Sequence, residues 1–345
     1  MSKRLSIAVL GVLACLAAPA SAQETVTAID YGGVFQEAVS KAMWQPAAKK
    51  LNIVLKEDSL TSIADVRVQV QGGKPKWDVL SLPIGECAAA AKEGLLEPLD
   101  FSVIPNAKDL PAGMNNKFYT VGSVWASFLV AWSKDKYKTG GLTGGWADYF
   151  DTKKFPGRRA GYNAPRFMLE GALLADGVAM DKIYPMDLDR AFAKLRTIKK
   201  DIAVWYTTFG QANDLMLRDE VDIMPNLSGR IADAIDKGAN WAFTYNTGII
   251  NGACTAVVKD APNKATAMKF VNEIIDPKLQ AALVNYLPYG PMNPGVYAPG
   301  LIPAEKAKTL NSYPDNLKVQ LVLDPDWWAD NRPVAQSRWD AFMKE

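Results

Sequence analysis

The sequence predicts an α/β fold with a mainly parallel sheet, distributed over two lobes. Three observations carry this expectation. Short apolar runs alternate with segments of helical apolar spacing through most of the chain, the order expected of strand–helix–strand units. Turns rich in Gly and Pro punctuate those units, as at 138–145 and 288–300, where the backbone must reverse. The length of 345 residues exceeds that of most single domains. Hydrophobic residues at 49% and charged residues at 22% are ordinary globular values, so the chain can bury a large core.

The first 22 residues read as a leader rather than as part of the fold. Lys3 and Arg4 make a basic start, Leu5 to Ala18 an apolar run, and Ala20-Ser21-Ala22 a small-residue cleavage signature. That is a secretory signal peptide, too short for a membrane span. Cleavage leaves Gln23 first. A weak lipobox, Val12-Leu13-Ala14-Cys15, competes with it, but the Ala-Ser-Ala site is better formed.

Thr25–Asp30 then reads as a strand, with Tyr31-Gly32-Gly33 as its turn. Val34–Lys50 reads as a helix, with Pro46 near its end, and Asn52–Lys56 as the next strand. Ile63–Gln71 is expected helical up to Gly72-Gly73, Trp77–Leu82 a strand, and Glu86–Lys92 a helix stopped at Gly94. In the second half, helices are expected at Leu188–Lys199, Ala212–Arg218, Ser228–Lys237, Lys264–Ile275 and Lys278–Leu287. Strands are expected between them at Ala203–Tyr206, Val221–Met224 and Ala242–Tyr245.

Composition excludes several function classes. Histidine is absent, which removes Ser-His-Asp and Cys-His mechanisms and His-based metal sites. Loss of Lys3 and Arg4 from the 39 basic residues leaves them equal in number to the 37 acidic ones. No basic stripe remains for nucleic acid or an anionic membrane. Cys87 and Cys254 both lie in apolar stretches. Two buried free thiols is the reading favoured here, although an oxidising compartment permits a disulfide.

A series of motifs runs along the chain: Tyr31-Gly32-Gly33, Trp77-Asp78-Val79 with Glu93-Gly94-Leu95-Leu96-Glu97-Pro98, and Trp146-Ala147-Asp148-Tyr149-Phe150 with Phe155-Pro156-Gly157. It continues through Leu173-Leu174-Ala175-Asp176-Gly177-Val178, Asn226 with Gly229-Arg230, Ala261-Pro262-Asn263, and Tyr289-Gly290-Pro291 with Asn293-Pro294. By the order and spacing of these motifs the sequence resembles the spermidine/putrescine-type extracellular solute-binding proteins of ABC importers. The resemblance covers nearly the whole chain after the leader. It implies a two-lobe periplasmic binding protein fold of type II, with two crossing hinge strands and the ligand between the lobes. Residues 23–130 with 252–300 would form one lobe and 131–251 the other, with 301–345 a C-terminal helical segment packed on them. The crossings are expected at Phe128–Trp132 and near Gly248–Ala253. The implied protein is a periplasmic monomer without cofactor, metal or catalytic residues, which closes on a small solute and docks on an ABC permease.

By the same resemblance the ligand-binding candidates are Tyr31, Gly32, Ser81, Trp125, Arg166, Asn226, Tyr245, Asn251 and Tyr289. Tyr31-Gly32-Gly33 would place a ring and an exposed N–H at the cleft edge. Ser81 ends a strand, Trp125 precedes the first crossing, Tyr245 and Asn251 flank the second, and Tyr289 sits in the Tyr-Gly-Pro turn. Asn226 either caps the helix carrying Arg230 or faces the cleft. Arg166 follows Pro165 in a loop, where a guanidinium can take a carboxylate through two parallel bonds; an ion pair with Glu170, four residues on, is the rival role.

Two departures bear on the ligand. Pro225 stands where the family often has Trp, and Asn251-Gly252-Ala253 stands where an Asp is expected. Fewer acids and an added Arg favour a zwitterion or carboxylate over a dication. Polyamine binding is the alternative, with Asp30 or Glu170 neutralising Arg166. From another class, a secreted hydrolase or lyase would pair carboxylates such as Asp30 and Glu170. An iron carrier is disfavoured because no Tyr-Tyr dipeptide occurs.

Overall fold

The computed structural model describes residues 23–111, 113–138 and 141–345. The expected leader and Cys15 lie outside the described residues. The first strand, β1 (Thr25–Asp30), is flanked by β2 (Val54–Ser59) and β3 (Val79–Pro83), both parallel to it. Two long strands follow in the chain's course, β4 (Tyr119–Ser133) and, much later, β9 (Ile249–Val257), which run antiparallel to each other. Between them come β5 (Arg159–Tyr162), β6 (Ile202–Tyr206), β7 (Ile223–Leu227) and β8 (Trp241–Phe243). The short β10 (Gly290–Pro291) and β11 (Leu321–Val322) pair with β4 and β9. The sheet order is β2-β1-β3-β9-β4-β7-β5-β6.

The first expected helix is continuous from Gly33 to Leu51 but passes through a π-helical segment, Ser40–Trp44. Pro46 explains it, because proline lacks the N–H that the preceding helical turn would use. Asn52 then stops the helix in the left-handed conformation at φ 53°. The helix Ile63–Gln71 opens on Ser62, whose Oγ accepts from Ala64 N–H while Asp65 reaches back to Ser62 N–H.

β4 and β9 carry the chain from one apolar core to another. One core draws on residues 26–125 and 250–292, and a second on 128–249 and 321–342. The change of core falls where Trp125, Ala126, Ser127 and Phe128 face Gly252, Asn251, Ile250 and Ile249. The first crossing is therefore nearer the N-terminus than Phe128–Trp132. Those residues already pair with β7. The two crossing strands approach closely: a Cβ on Gly122 would sit 2.6 Å from the Ala253 backbone, so only glycine fits there.

Cys87 and Cys254 are bonded to each other, with Cα atoms 6.4 Å apart, correcting the free-thiol expectation. Both are fully buried. The bond joins the helix Ile84–Lys92 to β9 just past its crossing, a proximity that a sequence separation of 167 hides. The 20-residue C-terminal helix Pro325–Lys344 is held by Trp328 and Trp339 in the second core and touches the first through Ala329 and a Lys92–Asp330 ion pair.

Candidate functional site

A cavity of about 260 Å³ lies at the carboxyl ends of β1 and β3, against the crossing strands. Ligands in open α/β sheets bind at such strand ends. The volume lies just below the usual range for ligand pockets, which suits a small solute. Asp30, Tyr31, Gly32 and Phe35 come from β1 and the turn after it, Ser81, Leu82 and Pro83 from β3. Val124, Ala126, Asn251, Gly252 and Ala253 come from the crossings, and Tyr289 closes one side. The walls are mainly apolar, with a few polar groups fixed among them.

The turn after β1 needs its glycines: Gly32 and Gly33 have φ of 77° and 66°, which side chains resist. The turn leaves Asp30 buried at 5% exposure. Asp30 Oδ1 accepts from Tyr31 N–H at 2.6 Å, and the neighbouring Ser81 also favours the charged carboxylate. Burial nevertheless pushes this carboxyl up to about 6, with Glu86 adding to the rise. Tyr31 donates its hydroxyl to Glu86. Burial and Glu86 raise the phenol, while Arg332 pulls the other way. Asn251 Oδ1 is buried without a hydrogen-bond partner among the described residues, a state that calls for a ligand or water. The Tyr289 ring packs edge-on against Phe35 and directly over Gly229, where a Cβ would lie 2.2 Å from its Cζ.

Arg166 comes from the second core's side. It opens the helix Pro165–Ala175, but Arg166 (ψ 135°) and Phe167 (φ 75°) are not helical. A positive φ at Phe167 is strained. Glu170 holds it, since its Oε2 accepts from Phe167 N–H at 2.8 Å. Glu170 Oε1 accepts from Tyr184 and from Trp328 Nε1 at 2.7 and 2.6 Å. Glu170 is thus committed to holding this turn, forms no ion pair with Arg166 among the described residues, and is fully buried. Burial and then Arg332 depress the Arg166 guanidinium, while Tyr162, Glu86 and Glu170 favour its charge. Arg166 stacks on Phe167 at 5.1 Å and has no salt-bridge partner among the described residues.

Of the sequence candidates, Tyr31, Gly32, Ser81, Asn251 and Tyr289 line the cavity. Trp125 does not. It lies on the opposite face of β4 from Val124 and Ala126, packed over Gly252 near Met292, because successive strand side chains alternate. Asn226 lies within β7, fully buried. Its Oδ1 accepts from Leu227 N–H and its Nδ2 points at Met216 Sδ. It does not cap the next helix, whose N-cap is Leu227. Tyr245 instead donates its hydroxyl to the Thr309 carbonyl at 2.8 Å, pinning the C-terminal segment. Sequence reasoning missed two charged residues near the site: Glu86, which accepts from the Tyr31 hydroxyl, and Arg332, whose charge acts on Tyr31 and Arg166. Glu86 was detectable as an acid three residues past the end of β3. Arg332 was detectable as a cation within the apolar spacing Trp328, Ala335, Trp339.

An α/β sheet split at two crossing strands, with a small apolar cavity and a few fixed polar groups, is the architecture of a two-lobed ligand-binding protein. The pattern of the bacterial extracellular solute-binding protein family matches residues 48–311, and the chain belongs to that family. It is 30% identical over 336 residues to the gamma-aminobutyric acid-binding protein of Pseudomonas aeruginosa, covering 96% of this chain and 94% of the relative. Among solved structures, an ABC transporter substrate-binding protein from Bradyrhizobium japonicum superposes with TM-score 0.88 at 40% identity, over 93% of this chain and all of that one. A periplasmic binding protein from A. tumefaciens B6 in complex with glucopine superposes with TM-score 0.77 at 36% identity, over 93% and 99% of the two chains.

Proposed function

We propose that this solute-binding protein captures a small zwitterion, bearing an amine and a carboxylate, in the periplasm. It serves as the substrate-binding component of an ABC importer and delivers the solute to the permease. The observation that carries the ligand reading is the polarity of the cleft. Asp30, a buried carboxylate with no salt-bridge partner among the described residues, lines the cavity at one end. Arg166 does not line the cavity but lies within the field of Glu86, which also binds Tyr31, and has no salt-bridge partner among the described residues; closure of the cleft would bring it to the other end. An amine supplies what Asp30 lacks, and a carboxylate gives Arg166 a charge-assisted, bidentate partner. Gamma-aminobutyrate, the solute named for the Pseudomonas aeruginosa relative, carries both groups and is the first probe.

A diamine fits less well. It would satisfy Asp30 with one ammonium and bring the other towards Arg166, where like charges about 5 Å apart repel by roughly 3 kcal/mol at an effective dielectric near 20. The hydrolase reading loses its carboxylate pair, because both Glu170 oxygens are taken up by neighbouring donors. Residues 23–130 with 252–300 are proposed to close on 131–251 about the crossing strands when solute binds. Calorimetry of wild type and Arg166→Ala against gamma-aminobutyrate, putrescine and spermidine tests the ligand assignment. The expected result is selective binding of gamma-aminobutyrate by wild type and about a hundredfold loss on Arg166→Ala. Tight putrescine binding with no carboxylate binding, or an Arg166→Ala variant that keeps its affinity for gamma-aminobutyrate, would overturn it.

A further inference from the structure

Two hydrogen bonds fix how the C-terminal helix lies on the helix Pro165–Ala175. Trp328 Nε1 donates to Glu170 at 2.6 Å, and Trp339 Nε1 donates to Asn163 Oδ1 at 2.9 Å. Of the two contacts, the earlier residue on the C-terminal helix, Trp328, meets the later one, Glu170, and Trp339 meets Asn163, so the two segments run antiparallel. Arg332 lies between the two contacts on one segment, and Arg166 lies between them on the other. Trp328, Arg332, Ala335 and Trp339 share one helical stripe by their spacing. Trp328, Ala335 and Trp339 are buried in the second core, and Arg332 is exposed. A cation therefore stands in an otherwise apolar stripe, at the register position opposite Arg166. Its charge reaches both Arg166 and Tyr31, and neither arginine has a salt-bridge partner among the described residues. Juxtaposed like charges repel, and an anion placed between them relieves that repulsion.

We propose that Arg332 is a second specificity-determining residue, which binds the carboxylate end of the solute together with Arg166. The C-terminal helix is then part of the ligand site as well as a support for the second core. This rests on the zwitterion reading above and adds the residue and the element that complete its anionic end. The Lys92–Asp330 pair, two residues before Arg332, ties the same helix to the first core, so the arginine is presented where the two cores meet.

The test is calorimetry of wild type, Arg332→Ala, Arg332→Lys and Arg166→Ala with two probes, gamma-aminobutyrate and n-butylamine, which lacks the carboxylate. Arg332→Ala is expected to weaken gamma-aminobutyrate about ten- to hundredfold, the usual worth of one charged hydrogen-bonding partner. It should leave n-butylamine binding and the melting temperature unchanged. Arg332→Lys is expected to recover part of the loss, since it restores the charge without the planar fork. If Arg332→Ala binds gamma-aminobutyrate as wild type does, while Arg166→Ala does not, the assignment of Arg332 is wrong and the zwitterion reading stands. Equal losses for both probes would make Arg332 a structural residue and equally overturn the assignment. A wild type that takes n-butylamine but no carboxylate overturns the zwitterion reading itself, and the role of Arg332 with it.

Discussion

Asp30→Asn is expected to stabilise the unliganded protein and to abolish amine binding, because the same burial that makes Asp30 a receptor for an ammonium makes it costly when empty. The carboxyl is pushed from 3.8 to about 6, chiefly by burial. That rise corresponds to about 3 kcal/mol of differential interaction between the two protonation states. The native value is above the unfolded one, so the native state holds more protons between pH 3.8 and about 6. Stability contributed by the protonated form is complete below that window and is lost as pH rises through it. The variant keeps an acceptor oxygen for Tyr31 N–H and removes the charge. At neutral pH it should exceed wild type by about 1–3 kcal/mol, the lower figure allowing for hydrogen bonds that are stronger to a carboxylate. Near pH 4.5 the gap should narrow to at most about 1 kcal/mol. Urea unfolding of both proteins at the two pH values measures it, and the comparison cancels groups that the proteins share. A variant less stable than wild type at neutral pH, or a gap that does not change with pH, would refute the reasoning. The affinity of wild type for an amine should also fall about tenfold per pH unit below about 6, which titration calorimetry reads directly.

Glu170→Ala removes the acceptor for Phe167 N–H, Tyr184 and Trp328. Leaving those donors unpaired in the core should cost about 2–5 kcal/mol in urea unfolding; a loss below about 1 kcal/mol would show that the turn carrying Arg166 does not depend on Glu170. Replacing Cys87 and Cys254 together with Ala opens a loop of sequence separation 167. It should lower stability by about 4–5 kcal/mol in the chain-entropy account. Unchanged unfolding after the double replacement, or two free thiols counted in the denatured wild type, would contradict the bond.

Most of the first half was legible because its strands and helices announce themselves through alternating composition. Thr25–Asp30 and Ile63–Gln71 have the expected bounds, each ended by glycines. β4 was legible only as a crossing. Apart from Ala126, every residue from Tyr119 to Ser133 is buried, so both faces are covered and the period-two alternation of apolar and polar residues that marks a half-exposed strand is missing. The same loss of alternation concealed which face Trp125 takes. In the site, Tyr31 and Gly32 were legible because residues just past the end of a parallel strand fall at the cavity, whereas Ser81 reaches it from the middle of β3. Arg166 was legible as a cation, but its unusual backbone depends on Glu170, Tyr184 and Trp328, which come together only in the folded chain. Glu86 and Arg332 act on Tyr31 from elements far apart in sequence, and the Cys87–Cys254 bond joins residues 167 apart. No local pattern encodes such meetings.

The central claim is that the cleft has an acidic end at Asp30 and a basic end at Arg166, and that the solute is bipolar to match. A crystal structure with gamma-aminobutyrate bound tests this most directly. The expected structure has the ammonium within hydrogen-bonding distance of Asp30 and the carboxylate on the guanidinium of Arg166. A solute bound in the opposite orientation, or seated away from the cavity between β1, β3 and the crossing strands, would contradict the account.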